Sequence, residues 1–299
     1  MQFWMQLRPK VAAILAGIGA TLAADVALAQ TAGLREGLDI IGVPQPGGIG
    51  FQAAATELAR DIQALDGFLL IISAGIVVFV LGLLAWSILR HNERAHPVPA
   101  QFTHNTRFEI AWTIVPLIIL VVIGAVSLPV LFKQQTIPDA DVVVKATGYQ
   151  WHWGYEYPDH GISYDSFMLA EDELAEHGYG PDEYLLATDT AMVVPTGRTV
   201  VVQVTAARVI HSWTVPSFGV KQDAVPGRLA ELWFEVDSGM EGVYFGQCSE
   251  LCGLNHAYMP ITVFAVTSEE YDAWINGEAQ EFASTGMRAP AHFDMAAAE

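Results

Sequence analysis

The sequence predicts two membrane-spanning helices followed by an all-β domain, of the sandwich or small-barrel kind, outside the cytoplasm. Three observations carry this. Two uncharged apolar runs, Phe68–Leu89 and Ile110–Phe132, hold 22 and 23 residues, and about 20 helical residues cross a hydrocarbon core about 30 Å thick. From Asp141 onward the pattern changes to short runs rich in Val, Phe, Trp and Thr, punctuated by Gly and Pro. The formal net charge of −19 lies wholly beyond residue 133, where 25 acids face 6 bases, against 8 of each before it. Such a surface excludes nucleic acid as a partner, because phosphate binding needs Lys and Arg. It suits a basic protein, since a one-signed field steers the opposite sign.

The elements follow in order. Residues 1–29 read as a cleaved signal peptide: Arg8 and Lys10, then apolar Val11–Ala24, then Ala27-Leu28-Ala29 as a small-x-small cleavage site. The run is too short and too rich in Ala and Gly to favour a third span. Residues 30–66 form an N-terminal segment outside the cytoplasm, 67–90 the first span, 91–107 a cytoplasmic loop and 108–132 the second span. Residues 133–280 form the outer domain and 281–299 an Ala-rich tail. Arg90–Arg107 carries three arginines against Glu93, whereas Gln30–Asp66 carries two against five acids. The positive-inside rule places the arginine loop in the cytoplasm and both mature termini outside. Trp86 and Trp112 fit interfacial belts, and Pro116 and Pro129 are tolerable within a span.

In the outer domain, strands are expected at Asp141–Thr147, Arg198–Thr205, Leu229–Val236, Val243–Gln247 and Ile261–Val266. Trp151, Trp153, Tyr155 and Tyr157 alternate as on one face of a strand. Two helices are expected: acidic Ala170–His177, closed by Gly178, and Ser268–Asn276, with Thr267 and Glu270 as a capping box and Gly277 after its end.

The chemistry concentrates in Cys248-Ser249-Glu250-Leu251-Cys252-Gly253-Leu254-Asn255-His256-Ala257-Tyr258-Met259, a loop between two strands, with His211 upstream in Ile210-His211-Ser212-Trp213. Sulfur with imidazole selects copper or zinc. Three readings stay open on spacing: a Cys248–Cys252 disulfide, a structural Cys₂His₂ zinc site that has no use for Met259, and copper electron transfer, which uses Cys, two His and a weak Met.

This loop, with the upstream His-Ser-Trp, resembles cytochrome c oxidase subunit II. So do Gly148-Tyr149-Gln150-Trp151-His152-Trp153-Gly154-Tyr155-Glu156-Tyr157, Lys221-Gln222-Asp223-Ala224-Val225-Pro226-Gly227-Arg228 and His104-Asn105-Thr106-Arg107-Phe108-Glu109-Ile110-Ala111-Trp112-Thr113. The resemblance runs from the first span to about Gly277. It implies a two-helix hairpin in a bacterial inner membrane, carrying a Greek-key cupredoxin-like periplasmic domain with a binuclear CuA centre. Cys248 and Cys252 would bridge the coppers, His211 and His256 would be terminal ligands, Met259 would ligate one copper weakly and the Glu250 carbonyl the other. The Glu250 side chain would point to a magnesium or manganese ion shared with the catalytic subunit. Trp151 would be the point where electrons enter from cytochrome c, docked by acids such as Glu156, Asp165, Asp189 and Asp223. Arg208 stands where relatives commonly carry an acid. Glu109 would mark the entrance of a proton pathway in the catalytic haem–copper subunit, which reduces oxygen to water with proton translocation. Membrane lipid and further oxidase subunits complete the implied partners.

Two other classes compete. A membrane-tethered copper chaperone or thiol–disulfide protein would use the Cys-x-x-x-Cys pair, but needs neither His256 and Met259 beside it nor two spans. A quinol oxidase subunit generally lacks the copper ligands. No Cys-x-x-Cys-His motif is present, so no haem is attached through one.

Overall fold

The computed structural model describes residues 34–35, 37–98 and 100–277. The expected signal peptide and the tail from 281 lie outside them. The described chain divides into two units, one of residues up to Ala59 together with Ile137 onward, the other Arg60–Thr136.

The second unit holds most of helix α1 (Glu57–Arg90) and helix α2 (Thr106–Gln135), both long and apolar enough to cross a membrane. Helix α1 starts ahead of the expected span because Glu57–Asp66 continues it in polar sequence, with an acid in the first turn, where the helix dipole favours it. Asn92 closes α1: its amide donates to the Ile88 and Leu89 carbonyls, and its side-chain oxygen accepts the Arg94 and Ala95 amides. Asn105 caps α2 by accepting the Arg107 and Phe108 amides, and Glu109 reaches back to accept the Asn105 amide. Lys133 near the end of α2 pairs with Asp61 in α1 at 2.7 Å.

The first unit is a β-sandwich. One sheet has the order β1 (Ile40–Gly42), β10 (Gly242–Gln247), β11 (Pro260–Val266), β5 (Met192–Pro195). The other runs β4 (Ile162–Ser166), β3 (His152–Tyr157), β2 (Val142–Tyr149), β6 (Val200–Ala206), β9 (Ala230–Phe234). A hairpin of β7 (His211–Val215) and β8 (Val220–Ala224) completes it. Connections pass repeatedly between the sheets, and β2–β6 and β11–β5 are parallel neighbours. This is the cupredoxin-like arrangement the resemblance implied.

Period-2 alternation explains the core. Trp153, Tyr155 and Tyr157 point inward from β3 and are essentially unexposed. Burying one such ring contributes about 1.5–3 kcal/mol. Two tyrosine hydroxyls find partners across the sandwich: Tyr157 Oη donates to the Val193 carbonyl at 2.8 Å, and Tyr164 Oη, from β4, to that of Ala191 at 2.8 Å.

Three differences from expectation stand out. The segment before α1, in which no strand was expected, contributes β1, which lies parallel to β10. It is also stitched to the domain where the Ala55 amide donates to the Ser217 carbonyl and Thr56 Oγ1 to that of Phe218. Ala170–His177 is a run of turns and not a regular helix. Its bonds are mostly of the three-residue kind, Glu173 to Ala170 and Glu176 to Glu173, and its four acids repel one another over one short stretch. Trp151 lies in the two-residue turn of the β2–β3 hairpin, whose last pair is Tyr149–His152, and not on the strand itself. The capping box of Thr267 and Glu270 and helix α3 (Ser268–Asn276) are as expected.

Candidate metal centre

Five side chains from two segments converge. His211 opens β7 and is fully buried. Cys248 follows β10, and the loop to β11 carries Cys252, His256 and Met259. Backbone bonds fix the loop at both ends: the Cys248 amide donates to the Met259 carbonyl at 3.0 Å, and the Ser249 amide to the Ser212 carbonyl at 3.0 Å. The second bond sets the loop against the strand that carries His211.

The distances describe an elongated donor set. Cys248 Sγ stands 3.7 Å from His211 Nδ1, and Cys252 Sγ 3.7 Å from His256 Nδ1. The two sulfurs are 3.8 Å apart, and Cys248 Sγ is 3.3 Å from the Glu250 carbonyl oxygen. Both thiols are free, and their separation far exceeds the roughly 2.05 Å of a disulfide. Two donors on one tetrahedral metal, with bonds of about 2.3 Å to sulfur and 2.0 Å to nitrogen, stand about 3.5 Å apart, and two sulfurs about 3.8 Å. The residues therefore fit a metal with thiolate and imidazole ligands. His211, Cys248 and Cys252 form one mutually close trio; His256 joins through Cys252 alone at the loop's other end. Met259 is buried, as are both cysteines, and His256 is half-buried.

Local sequence makes this convergence feasible. His211 lies directly over Gly148 of β2, where a methyl group would stand 2.7 Å from His211 Cδ2. The indole of Trp153 meets the His211 ring edge-on at 5.9 Å. Gly253 takes φ +119 at the centre of the loop, a conformation L side chains rarely adopt, and Trp151 lies against it. Trp151, half-buried, donates its indole N–H to the Cys252 carbonyl at 3.2 Å.

Burial governs protonation without metal. Desolvation first, then the like charges of His152 and His256, push the His211 imidazole down to about 4, so its lone pair is available at neutral pH. Desolvation and then Cys248 push the Cys252 thiol up to about 12, so a metal must displace its proton.

The remaining expected site residues are dispersed. Glu250 is exposed, its carbonyl turned toward Cys248. Glu109 caps α2. Asp223 is exposed on β8, opposite Ser212 in register. Glu156 pairs with Lys145 at 2.8 Å. Asp165 stands 3.6 Å from His152. Asp189 accepts the Phe167 and Thr190 amides. Gly148, Trp153 and Ser212 were not singled out from sequence as parts of the centre. Only their place beside Trp151 and His211 in the quoted motifs signals them.

The fold and the donor set define a class: a membrane-anchored, cupredoxin-like protein with a soft-donor metal centre at one end of its outer domain. Family models agree on both halves. "Cytochrome C oxidase subunit II, transmembrane domain" matches residues 44–130 and "Cytochrome C oxidase subunit II, periplasmic domain" residues 142–266. Cytochrome c oxidase subunit 2 of Cereibacter sphaeroides is 59% identical over 273 residues, covering 87% of this chain and 88% of the relative. A probable cytochrome c oxidase subunit 2 of Rickettsia bellii is 46% identical over 234 residues, covering 78% and 84%. The crystal structure of the periplasmic domain of subunit II of a Bradyrhizobium japonicum cytochrome oxidase is 45% identical, covering 49% of this chain and 99% of that one, with a TM-score of 0.43. The chain belongs to the cytochrome c oxidase subunit II family. It is the electron-transfer subunit of a haem–copper oxidase, an inner-membrane protein with two spans that partners other oxidase subunits, and the chaperone alternative is not favoured.

Proposed function

We propose that the outer domain holds a binuclear CuA centre, receives electrons from a cytochrome c and passes them to the haems of the catalytic subunit. Cys248, Cys252, His211 and His256 would hold the copper, with Met259 and the Glu250 carbonyl as weaker donors. The observation that carries this is the order of donors: one imidazole against each sulfur, with the sulfurs 3.8 Å apart between them. A single zinc would draw all four donors around one point. Bound, the copper pair supplies one reversible electron shared between two metal atoms. The chain's own residues do the rest. The sandwich buries His211, Cys248, Cys252 and Met259, and burial keeps His211 neutral. Trp151 offers a half-buried ring at the surface, tied through its N–H to the Cys252 carbonyl, a short bonded route toward the sulfur.

The same proposal places both termini in the periplasm, gives the exposed Glu250 side chain to a shared magnesium or manganese ion, and sets lipid around α1 and α2. The acid-rich surface, with exposed Asp223 beside the His211 strand, docks the basic donor. Stopped-flow mixing of the purified oxidase with reduced cytochrome c tests it. Copper absorbance changing before haem reduction is expected; haem reduction with no preceding copper phase contradicts it. Glu109 is assigned to the proton-path entrance: Glu109→Ala slows proton uptake and leaves copper reduction intact, and normal turnover in that variant would refute the assignment.

A further inference from the structure

We infer that His91 and His96, in the loop that joins α1 to α2, form a binding site for one divalent cation of the zinc class. The site is separate from the copper centre and does not depend on the copper reading. The two rings lie edge-on, with centroids 5.2 Å apart and planes at 62°. Two imidazoles on one tetrahedral zinc, with bonds of about 2.0 Å, have ring centres about 5 Å apart. The spacing is therefore that of two ligands reaching one ion.

The loop is braced to hold that spacing. The His91 amide donates to the Ser87 carbonyl at 2.9 Å, which carries the helical pattern one residue past Arg90. Asn92 then ties the turn together. Its side chain donates to the Ile88 and Leu89 carbonyls and accepts the Arg94 and Ala95 amides. Its own carbonyl accepts the Ala95 amide at 3.1 Å and the His96 amide at 2.9 Å. The ordering that a ligand would otherwise impose on a loose loop is thus already in place.

The rings themselves suit a metal. His96 Nδ1 lies 2.7 Å from the Ala95 carbonyl oxygen. A carbonyl only accepts, so Nδ1 carries the proton, and in the neutral ring Nε2 keeps its lone pair. Metal-binding histidines are commonly held in this way, the second ring nitrogen donating to a backbone carbonyl. Both side chains are exposed, so an ion reaches them without opening the fold, and an exposed ring reorients quickly. Arg90 does not crowd the ion, because its guanidinium is drawn over the Trp86 ring, 5.2 Å from the centroid. Membrane orientation does not call for the pair, since it follows Lys and Arg. Imidazole nitrogens suit zinc, copper and nickel. Among the described residues, no third His, Cys or carboxylate joins these two in a close trio of the kind found at the copper centre. Water takes the remaining positions. An open site of this kind gives up its ion to chelators, unlike a closed four-ligand structural zinc.

The test is zinc binding to the purified oxidase at neutral pH, measured by metal analysis after equilibrium dialysis. The native complex, His91→Gln, His96→Gln and the double variant are compared. Each single variant is expected to bind about one zinc fewer than the native complex, and the double variant no fewer than either single, because one ion needs both rings. Copper content and turnover in zinc-free buffer stay native in all three variants. Equal zinc in all four proteins overturns the inference. So does a loss confined to one single variant, or a double variant that loses twice as much as either single, since both outcomes mark lone rings binding separately.

Discussion

Replacing Gly148 with alanine tests how the centre is built. The new methyl would stand 2.7 Å from His211 Cδ2 and 2.8 Å from Cγ, whereas carbon atoms settle about 3.5–4.0 Å apart. One partner must retreat by about 1 Å. The backbone of Gly148 is held on both sides, paired with Trp153 on β3 and Ala206 on β6, so the ring moves. It has little room, being fully buried with Trp153 at its edge. Overpacking of this kind costs about 1–3 kcal/mol, and ligand distances in metal sites hold to within about 0.2 Å. Gly148→Ala is therefore expected to assemble into the oxidase with a lower melting temperature, reduced copper content and an altered copper spectrum. Metal analysis, visible spectroscopy and thermal unfolding of the purified complex measure all three. Full copper, a native spectrum and native melting would refute the reasoning that Gly148 makes room for a ligand.

Trp151→Phe keeps a ring but removes the N–H that binds the Cys252 carbonyl at 3.2 Å; copper reduction by cytochrome c should slow at least severalfold with copper content unchanged, read by stopped flow. The rate constant for reduction by cytochrome c should fall steeply as salt rises, since a Debye length of about 10 Å at 0.1 M screens the acidic surface; a salt-independent rate counts against acid-guided docking. Burial, opposed by the Phe167 and Thr190 amides, leaves Asp189 raised from 3.8 to about 6. Its folded-state value is raised, so the stability it contributes is greatest below about pH 4 and is lost as pH climbs through about 6, an upper figure of about 3 kcal/mol for a partly exposed group. Denaturant unfolding of Asp189→Asn should show a flatter pH dependence across that window than the native protein.

The spans were legible because a bilayer demands length and apolarity and little else, which Phe68–Leu89 and Ile110–Phe132 display openly. The strands that alternate or run apolar, such as β2, β6 and β11, were legible for the same kind of reason. What escaped depends on tertiary contact. Ile40–Gly42 is too short to announce a strand and becomes one only by pairing with β10. Ala170–His177 carries helix-forming acids and Leu174, yet its register is set by the domain, which buries Leu174 and Tyr179 and leaves the rest as turns. At the centre, residue types and spacing announced Cys248, Cys252, His256, Met259 and His211. They could not announce that Gly148 lies under His211, or that Asp189 spends its carboxylate on backbone amides. Glu109 carries a capping bond that sequence reasoning had not assigned to it.

The central claim is that two sulfurs and two imidazoles hold a pair of copper atoms sharing one electron. Metal analysis combined with electron spin resonance of the oxidised oxidase addresses it directly. The account predicts two coppers bound to this subunit and one unpaired electron, with the hyperfine pattern of two equivalent copper nuclei. A single-nucleus pattern, a silent zinc-loaded site, or a bond between Cys248 and Cys252 in the active protein would contradict it.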